Sequence, residues 1–389
     1  MKRKISTLFG AVLLCASTLS AATEIGVMTQ NQYLGADLTP VLGAAMADPF
    51  DPDQFSAAVV QALGKIAAAR PADRVRALAA QIAQRNPDVV GLQEAYMFDC
   101  QPYPGYPTVP GMGCDDPTIK GAFSDQLLNT EAALKGKYVL AGRVTNLQVA
   151  GLPFLVNGYP ALLVAADRDA ILVRKGLLAQ WVDFAALGVC AKPSDQGCNF
   201  QTAPPPMTTP VGDITIERGF LAVDLMVKGR AYRVFNTHLE QRLLSPTLPE
   251  TRLLQVGQAY ELMGTAVYTW DGTRQVIVVG DFNSDPVDEI PGAPTPYQVF
   301  TQIGDFTDAW TLRPQTRDEG FSCCQGEDLL NRRSELSERI DMIFSLTPPS
   351  RVLDMKLLGI TMGDKTRPPG IDGLWPSDHV SVAAKLKFD

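Results

Sequence analysis

Histidine is the scarcest informative residue in this chain of 389, occurring only twice. Imidazole is the side chain whose ordinary pKa lets it exchange protons near neutral pH, so any such role falls to His238 or His379. Long apolar runs are also missing. The stretch Leu8–Ala16 is too short and too soon interrupted for a membrane span, and no later run replaces it. Basic charge is in deficit, with a formal net charge of -8. That balance excludes the broad basic footprint of a tight nucleic-acid binder, though not brief contact with nucleic acid by an enzyme. No repeat or low-complexity linker divides the chain.

What is present begins with an export signal. Met1-Lys2-Arg3-Lys4 is a basic start, the apolar stretch follows, and Ser20, Ala21 and Ala22 offer a peptidase site. Residues 1–22 are therefore read as a signal peptide and 23–389 as one domain of an exported, secreted or periplasmic, protein. A lipid-attachment role for Cys15 is disfavoured, because Leu13 and Leu14 precede it where small residues belong. Six cysteines remain beyond the leader, an even count that in an exported chain favours disulfides over metal thiolates. Proximity suggests Cys100 with Cys114 and Cys190 with Cys198. Adjacent Cys323 and Cys324 are left unassigned, since neighbouring Cα atoms lie closer than ordinary disulfide geometry. The Pro-rich segments 101–113 and 203–210 read as Cys-bearing loop insertions.

Val75, Leu78, Ala79 and Ile82 follow helical spacing, and Asn86-Pro87 ends that helix before a strand at Val89–Leu92. A second helix fits Thr251–Tyr268, followed by an apolar strand at Gln275–Val279. Between them, Phe220–Val227 and Ala231–Asn236 flank a hairpin turn containing Gly229. Later strands are expected at Ile340–Phe344, Met355–Ile360 and Val380–Phe388. Hairpins mixed with strand-helix units predict an α/β fold with mixed sheets covered by helices, not a purely parallel one.

Polar residues recur at the ends of these strands: Asn31, Glu94, His238, Asp281, Asn283, Asp341, Asp378 and His379. Singly, each has an ordinary structural explanation, as strand terminator, turn former, surface ion pair or satisfied core histidine. Jointly, the segments Thr29-Gln30-Asn31, Gly91-Leu92-Gln93-Glu94, Asn236-Thr237-His238-Leu239, Gly280-Asp281-Phe282-Asn283, Arg339-Ile340-Asp341 and Ser377-Asp378-His379 resemble, in order, the endonuclease/exonuclease/phosphatase superfamily. The resemblance spans almost all of 23–389. It implies a four-layered α/β sandwich of the DNase I type, two mixed sheets face to face with helices outside, and Mg²⁺-dependent hydrolysis of phosphoesters.

Under that resemblance Glu94 is a hard oxygen donor suited to Mg²⁺, with Mn²⁺ or Ca²⁺ as substitutes, and Asn31 and Asp378 add oxygens or hold a metal-bound water. Asp281 orients or deprotonates the attacking water, and Asn283 donates an amide hydrogen to a phosphate oxygen. Asp341 orients His379, while His238 protonates the leaving oxygen or stabilises charge on the phosphate. The carboxylate partner of His238 is open. Asp167 and Asp169 are candidates, but a solvated turn ahead of a strand is the preferred reading of that segment.

The expected substrate is a phosphodiester, either nucleic acid or a phospholipid head group; a binding or effector protein without catalysis is the alternative on this scaffold, against which the intact metal and histidine positions argue. Tyr33 and Leu34 follow Asn31 much as in sphingomyelinase-like members. In 151–160, Asn157-Gly158 is read as a hairpin turn. Phe154, Leu155 and Val156 then either meet lipid, as a peripheral membrane contact, or pack beneath the insertion.

Overall fold

The computed structural model of the chain describes residues 22–242, 250–314, 318–366 and 373–389. Apart from Ala22, the leader expectation on 1–22 lies outside the described residues. Two eight-stranded mixed sheets dominate, with strands numbered along the chain. The first sheet runs β17 (Arg351–Leu358), β18 (Ser381–Phe388), β1 (Thr23–Asn31), β2 (Val89–Gln93), β6 (Tyr159–Arg174), β3 (Met97–Pro102) and β4 (Ser124–Asp125), with β5 (Tyr138–Val156) also pairing β6. The second runs β15 (Thr307–Asp308), β16 (Asp341–Ser345), β14 (Gln275–Asp281), β13 (Arg230–His238), β12 (Gly219–Val227), β9 (Gly197–Asn199) and β8 (Lys192–Ser194), with β7 (Leu178–Trp181) also on β12. A separate ribbon pairs β10 (Met207–Thr209) with β11 (Gly212–Ile214).

Side chains alternate across each strand, and here both faces are covered, so the central strands read as continuous apolar runs. Val89 points into the core between the sheets while Val90 packs outward with Ala79 and Ile82 of α3 (Pro71–Arg85). Ile277 and Val279 likewise face inward, whereas Val276 and Val278 pack with Val256, Ala259 and Leu262 of α5 (Glu250–Tyr268). The result is four layers: helix, sheet, sheet, helix. Asn86 ends α3 in the left-handed conformation at φ 50°, returning its N–H to the Ile82 carbonyl, and Pro87 cannot continue the helix. The β12–β13 turn places Lys228 and Gly229 at φ 49° and 83°, the two positive values a tight two-residue hairpin needs.

The sheets are joined by polar groups as well as apolar ones. Asn236 of β13 donates its amide to the carbonyls of Leu92 and Ala170 in the opposite sheet, at 2.9 and 3.1 Å, and its Oδ1 accepts from Gln93 Nε2 at 2.5 Å. Thr29 in turn donates to Gln93 Oε1 at 3.2 Å. Gly91 makes the room: a Cβ there would stand 2.4 Å from Asn236 Oδ1 and 2.7 Å from Val279 Cγ2.

Three sequence expectations change. The strand expected from Met355 begins at Arg351. It lies at the sheet edge and carries a bulge between Val352 and Asp354, so its charged residues break the apolar pattern without breaking the strand. Asp167 and Asp169 do not form a solvated turn. They lie inside the 16-residue β6 on the face shared with Ile171 and Val173, buried toward the opposite sheet, where Arg218 meets Asp167 and Asn146 meets Asp169. The hairpin at Asn157-Gly158 exists, but Phe154 and Val156 turn inward onto Phe55, Val59 and Leu63 of α2 (Pro52–Ala68). Two of the three apolar side chains that suggested a membrane contact through 151–160 are thus occupied by packing, while Leu155 between them stays half-buried. Cys100–Cys114 and Cys190–Cys198 are bonded with Cα separations of 5.5 and 5.8 Å, and Cys323 and Cys324 are bonded to each other.

Gly91→Ala is expected to cost about 1–3 kcal/mol through overpacking between the sheets. Its urea midpoint should fall with an unchanged slope. Phe154→Ala should cost about 3–5 kcal/mol and leave vesicle binding unaltered. Vesicle affinity that fell in the still-folded variant would show the ring to be exposed after all.

Candidate active site

Strand direction assembles the site. The parallel pair β1 and β2 ends in register at Asn31 and Gln93, and the parallel pair β13 and β14 ends in register at His238 and Asp281. β16 is antiparallel to β14 and starts at the same edge, with Asp341 opposite Asp281. β18 is antiparallel to β1 and its start brings Asp378 and His379 to the rim. Each sheet therefore contributes polar ends to a single edge. Tyr33, Glu94 and Asn283 there adopt left-handed backbone at φ 59°, 53° and 47°. For residues other than glycine such conformations are uncommon and persist where surroundings dictate them.

Asn31 Nδ2 bridges two carboxylates, reaching Glu94 Oε1 at 3.2 Å and Asp281 Oδ2 at 3.1 Å across the sheets. Its Oδ1 takes the Tyr33 N–H at 2.9 Å, so the amide presents nitrogen, not oxygen, to Glu94. Glu94 Oε2 accepts from the Leu34 N–H at 2.8 Å. Asp281 is at the centre: Oδ1 accepts the Asn283 N–H at 2.9 Å, and Oδ2 lies 3.6 Å from His238 Nε2 and 3.7 Å from His379 Nε2. His379 Nδ1 is 2.8 Å from Asp341 Oδ2. Asn283 Nδ2 donates to the Leu239 carbonyl at 3.0 Å and stands 3.2 Å from His238 Nε2. All eight residues singled out from sequence thus reach one rim.

The two histidines have opposite electrostatics. For His379 burial disfavours the charge, but the carboxylates of Asp341, Asp281 and Asp378 outweigh it and hold the ring protonated well above its ordinary range. His238 is pushed well below that range by burial, by the Arg218 guanidinium and by His379. Asp281 is pushed up to about 7, mainly by burial, with His379 opposing and Asp341 adding. Asp378 is raised to about 6 by burial, and the nearby Glu94 charge adds to the rise.

Several positioning residues were not among the eight singled out from sequence, although Ser377 lies in one of the resembling segments. Ser322 Oγ accepts the N–H groups of Ile340 and Asp341 at 3.1 and 3.0 Å. Ser377 Oγ donates to the Asn31 carbonyl at 2.8 Å and accepts the His379 N–H at 3.1 Å. Buried Arg74 donates to the carbonyls of Gln32, Tyr33 and Pro376, tying the end of β1 to the approach of β18. Arg218, just ahead of β12, is buried against His238. A charged residue before a strand looks like surface in a sequence, and only the folded sheet shows what it touches. The segments with the resembling pattern, by contrast, were findable because they pair an apolar strand with a polar end.

A cation would fit Glu94 and Asp378. These are hard oxygen donors, close enough for like-charge repulsion to raise Asp378, and a divalent ion relieves such repulsion. A carboxylate oxygen from each of Asp281 and Asp341 and a ring nitrogen of His379 also lie within 4.8 Å of one another. There the Nδ1 of His379 is hydrogen-bonded to Asp341, while Asp281 faces Nε2 at 3.7 Å, beyond hydrogen-bond distance.

The family model described as "Endonuclease/Exonuclease/phosphatase family" matches residues 60–379. No curated protein matches the chain. Among solved structures, an endonuclease/exonuclease/phosphatase family protein from Bacteroides thetaiotaomicron is similar at 17% identity and TM-score 0.50, covering 95% of this chain and 99% of its own. The mannosyl-6-phosphatase of Bacteroides thetaiotaomicron VPI-5482 is similar at 16% identity and TM-score 0.50, covering 93% and 99%. At such identities the likeness shows the fold alone, the DNase I-like sandwich of two mixed sheets.

Asp341→Asn should lower the pKa of His379 substantially, since the burial penalty stays while the main compensating charge is lost. With only two histidines in the chain, proton NMR of the ring resonances against pH reads this directly. An unchanged His379 titration would mean that Asp341 does not set its charge.

Proposed function

The chain belongs to the endonuclease/exonuclease/phosphatase family, whose members are phosphoric ester hydrolases, and from that premise we propose a metal-dependent phosphodiesterase that cleaves P–O bonds with water. The observation that carries this reading is the position of Asp281, buried between two histidines of opposite protonation and bridged by Asn31 to Glu94.

Enzymes of this family generally depend on a divalent metal, for which we propose Mg²⁺, with Glu94 and Asp378 as its protein ligands. Such an ion supplies Lewis-acid polarisation of the phosphoryl oxygens when bound. The rest of the chemistry belongs to side chains. Asp281, with a pKa of about 7, is suited to accept a proton from the attacking water near neutral pH, because a base works best when its pKa lies near the working pH. His379, kept cationic by Asp341, faces the developing negative charge of the phosphoryl group. Asn283 adds an amide donor. Asn31 holds Glu94 and Asp281 at a fixed separation, a positioning role in place of direct ligation.

Nucleic acid is the preferred substrate class over phospholipid, because Phe154 and Val156, two of the three apolar side chains that supported a lipid surface, are packed inward. The acidic chain would then hold nucleic acid only transiently, as turnover requires. Export is supported by the basic and apolar leader and by the Cys100–Cys114 and Cys190–Cys198 disulfides.

Purified protein with Mg²⁺ should nick plasmid DNA or hydrolyse a generic phosphodiester, and chelator should abolish this. Turnover that persists in chelator would sink the metal reading. Glu94→Ala and Asp281→Asn should each lower kcat by about 100-fold or more while leaving the fold intact. In the native enzyme the rate should climb as pH rises to about 7, since Asp281 must lose its proton to act as base. A panel of DNA, RNA, sphingomyelin and phosphomonoesters tests the substrate class, and selective hydrolysis of sphingomyelin would displace nucleic acid.

A further inference from the structure

Arg218 Nη1 lies 3.0 Å from His238 Nδ1, and both groups are buried. A guanidinium has only donors, so this contact is a hydrogen bond only if Nδ1 is an unprotonated acceptor. The single proton of the neutral ring then sits on Nε2. There it meets Asn283 Nδ2 at 3.2 Å, which is itself a donor because it is turned to the Leu239 carbonyl. Asp281 Oδ2, at 3.6 Å, is too far for a good hydrogen bond. Two N–H groups thus stand side by side at the rim without a close shared acceptor among the described residues. That is the arrangement that receives an anionic oxygen.

Among the described residues no carboxylate reaches Nδ1. Asp167 Oδ2 lies 3.8 Å from Arg218 Nη1, and Glu240 Oε1 lies 3.6 Å from its Nε, so both acids contact the arginine instead of the imidazole. Asp169 is held by Asn146 at 2.9 Å. The acid sought beside His238 in the sequence is therefore present one shell further out, with a cation between. Among the described residues, the charged groups around the ring are Arg218 ahead of β12, Asp167 behind it on β6, Glu240 after β13, Asp281 on β14 and His379 before β18. Arg218 and His379 both oppose a second proton on the ring, and burial adds to them.

We infer that Arg218 is a positioning residue that fixes His238 as the neutral Nε2–H tautomer. His238, with Asn283, then donates a hydrogen bond to a phosphoryl oxygen and does not protonate the leaving group. A neutral imidazole could give up its Nε2 proton only by becoming an imidazolate, which is inaccessible here, so the proton stays on nitrogen throughout turnover. This rests on the phosphodiesterase reading for the identity of the oxygen, but the tautomer does not.

The test is ¹⁵N NMR of the ring nitrogens in the full-length protein with Mg²⁺, with His379→Gln used to assign the two histidines. His238 should show a non-protonated Nδ1 and a protonated Nε2 that do not change between about pH 5 and about pH 8. A protonated Nδ1 near neutral pH overturns the inference. Arg218→Met should free Nδ1 and make His238 titrate or populate both tautomers, whereas Arg218→Lys should preserve the native pattern by keeping a donor. A native pattern in folded Arg218→Met also overturns it. Should Arg218→Met not fold, the wild-type spectrum alone decides the tautomer, and loss of the native pattern in folded Arg218→Lys overturns the claim that a donor at this position sets it. In kinetics, His238→Ala should reduce the rate by on the order of 100-fold on both a nitrophenyl and a phenyl phosphodiester. A loss that grows sharply on the poorer leaving group would make His238 a proton donor and overturn the second half. If no phosphodiester is turned over at all, the functional reading fails while the spectra still decide the role of Arg218.

Discussion

The amide of Asn236 holds the two sheets in register at the rim where the chemistry is assembled. It is buried between them and satisfies two carbonyls of the opposite sheet while accepting from Gln93. A buried polar group without partners is costly, so once Asn236 lies at this interface the sheets can approach only where Leu92, Ala170 and Gln93 meet it. Apolar packing between the faces is strong but tolerant of sliding, because methyl groups impose no direction. The amide network supplies direction, and the missing side chain of Gly91 supplies the space. Asn31 meeting Asp281, and Asp341 meeting His379, are further contacts between the sheets that depend on that register.

Electrostatics divides the site into roles that residue type alone does not assign. Both histidines are buried, yet one is held cationic by three carboxylates and the other is kept neutral by an arginine and its fellow histidine. Asp281 and Asp341 face each other across β14 and β16. Asp341 is engaged with His379, and its backbone N–H donates to Ser322 Oγ; burial raises Asp281 to about 7 against the opposing charge of His379. Groups of like kind are driven apart in proton affinity by what surrounds them, which is the condition for acid and base to coexist at one pH.

Much of this was legible beforehand because strand ends leave a local pattern. An apolar run closed by Asn31, Glu94, His238 or Asp281 shows itself without any tertiary information, and Asn86-Pro87 marks the end of α3 by backbone chemistry alone. Other features left no such trace. Arg218 follows Glu217 in a polar stretch and looks solvated, and Asp167 and Asp169 look like a turn until the opposite sheet covers them. Phe154 and Val156 were apolar next to a turn, and only α2 decided which way they face. Each depends on a partner dozens of residues away.

By itself the sequence pointed to mixed sheets covered by helices, since periodicity and turn residues are properties of short segments; the family resemblance implied the four layers and the candidate site residues, and proximity suggested the two local disulfide pairs. The tertiary structure alone decided how those residues divide the work. A proton's position on His238, the charge on His379 and the basicity of Asp281 are set by distances of three to four ångströms between segments far apart in the chain. Such distances come from the packing of one sheet on the other and from the burial that makes each nearby charge count.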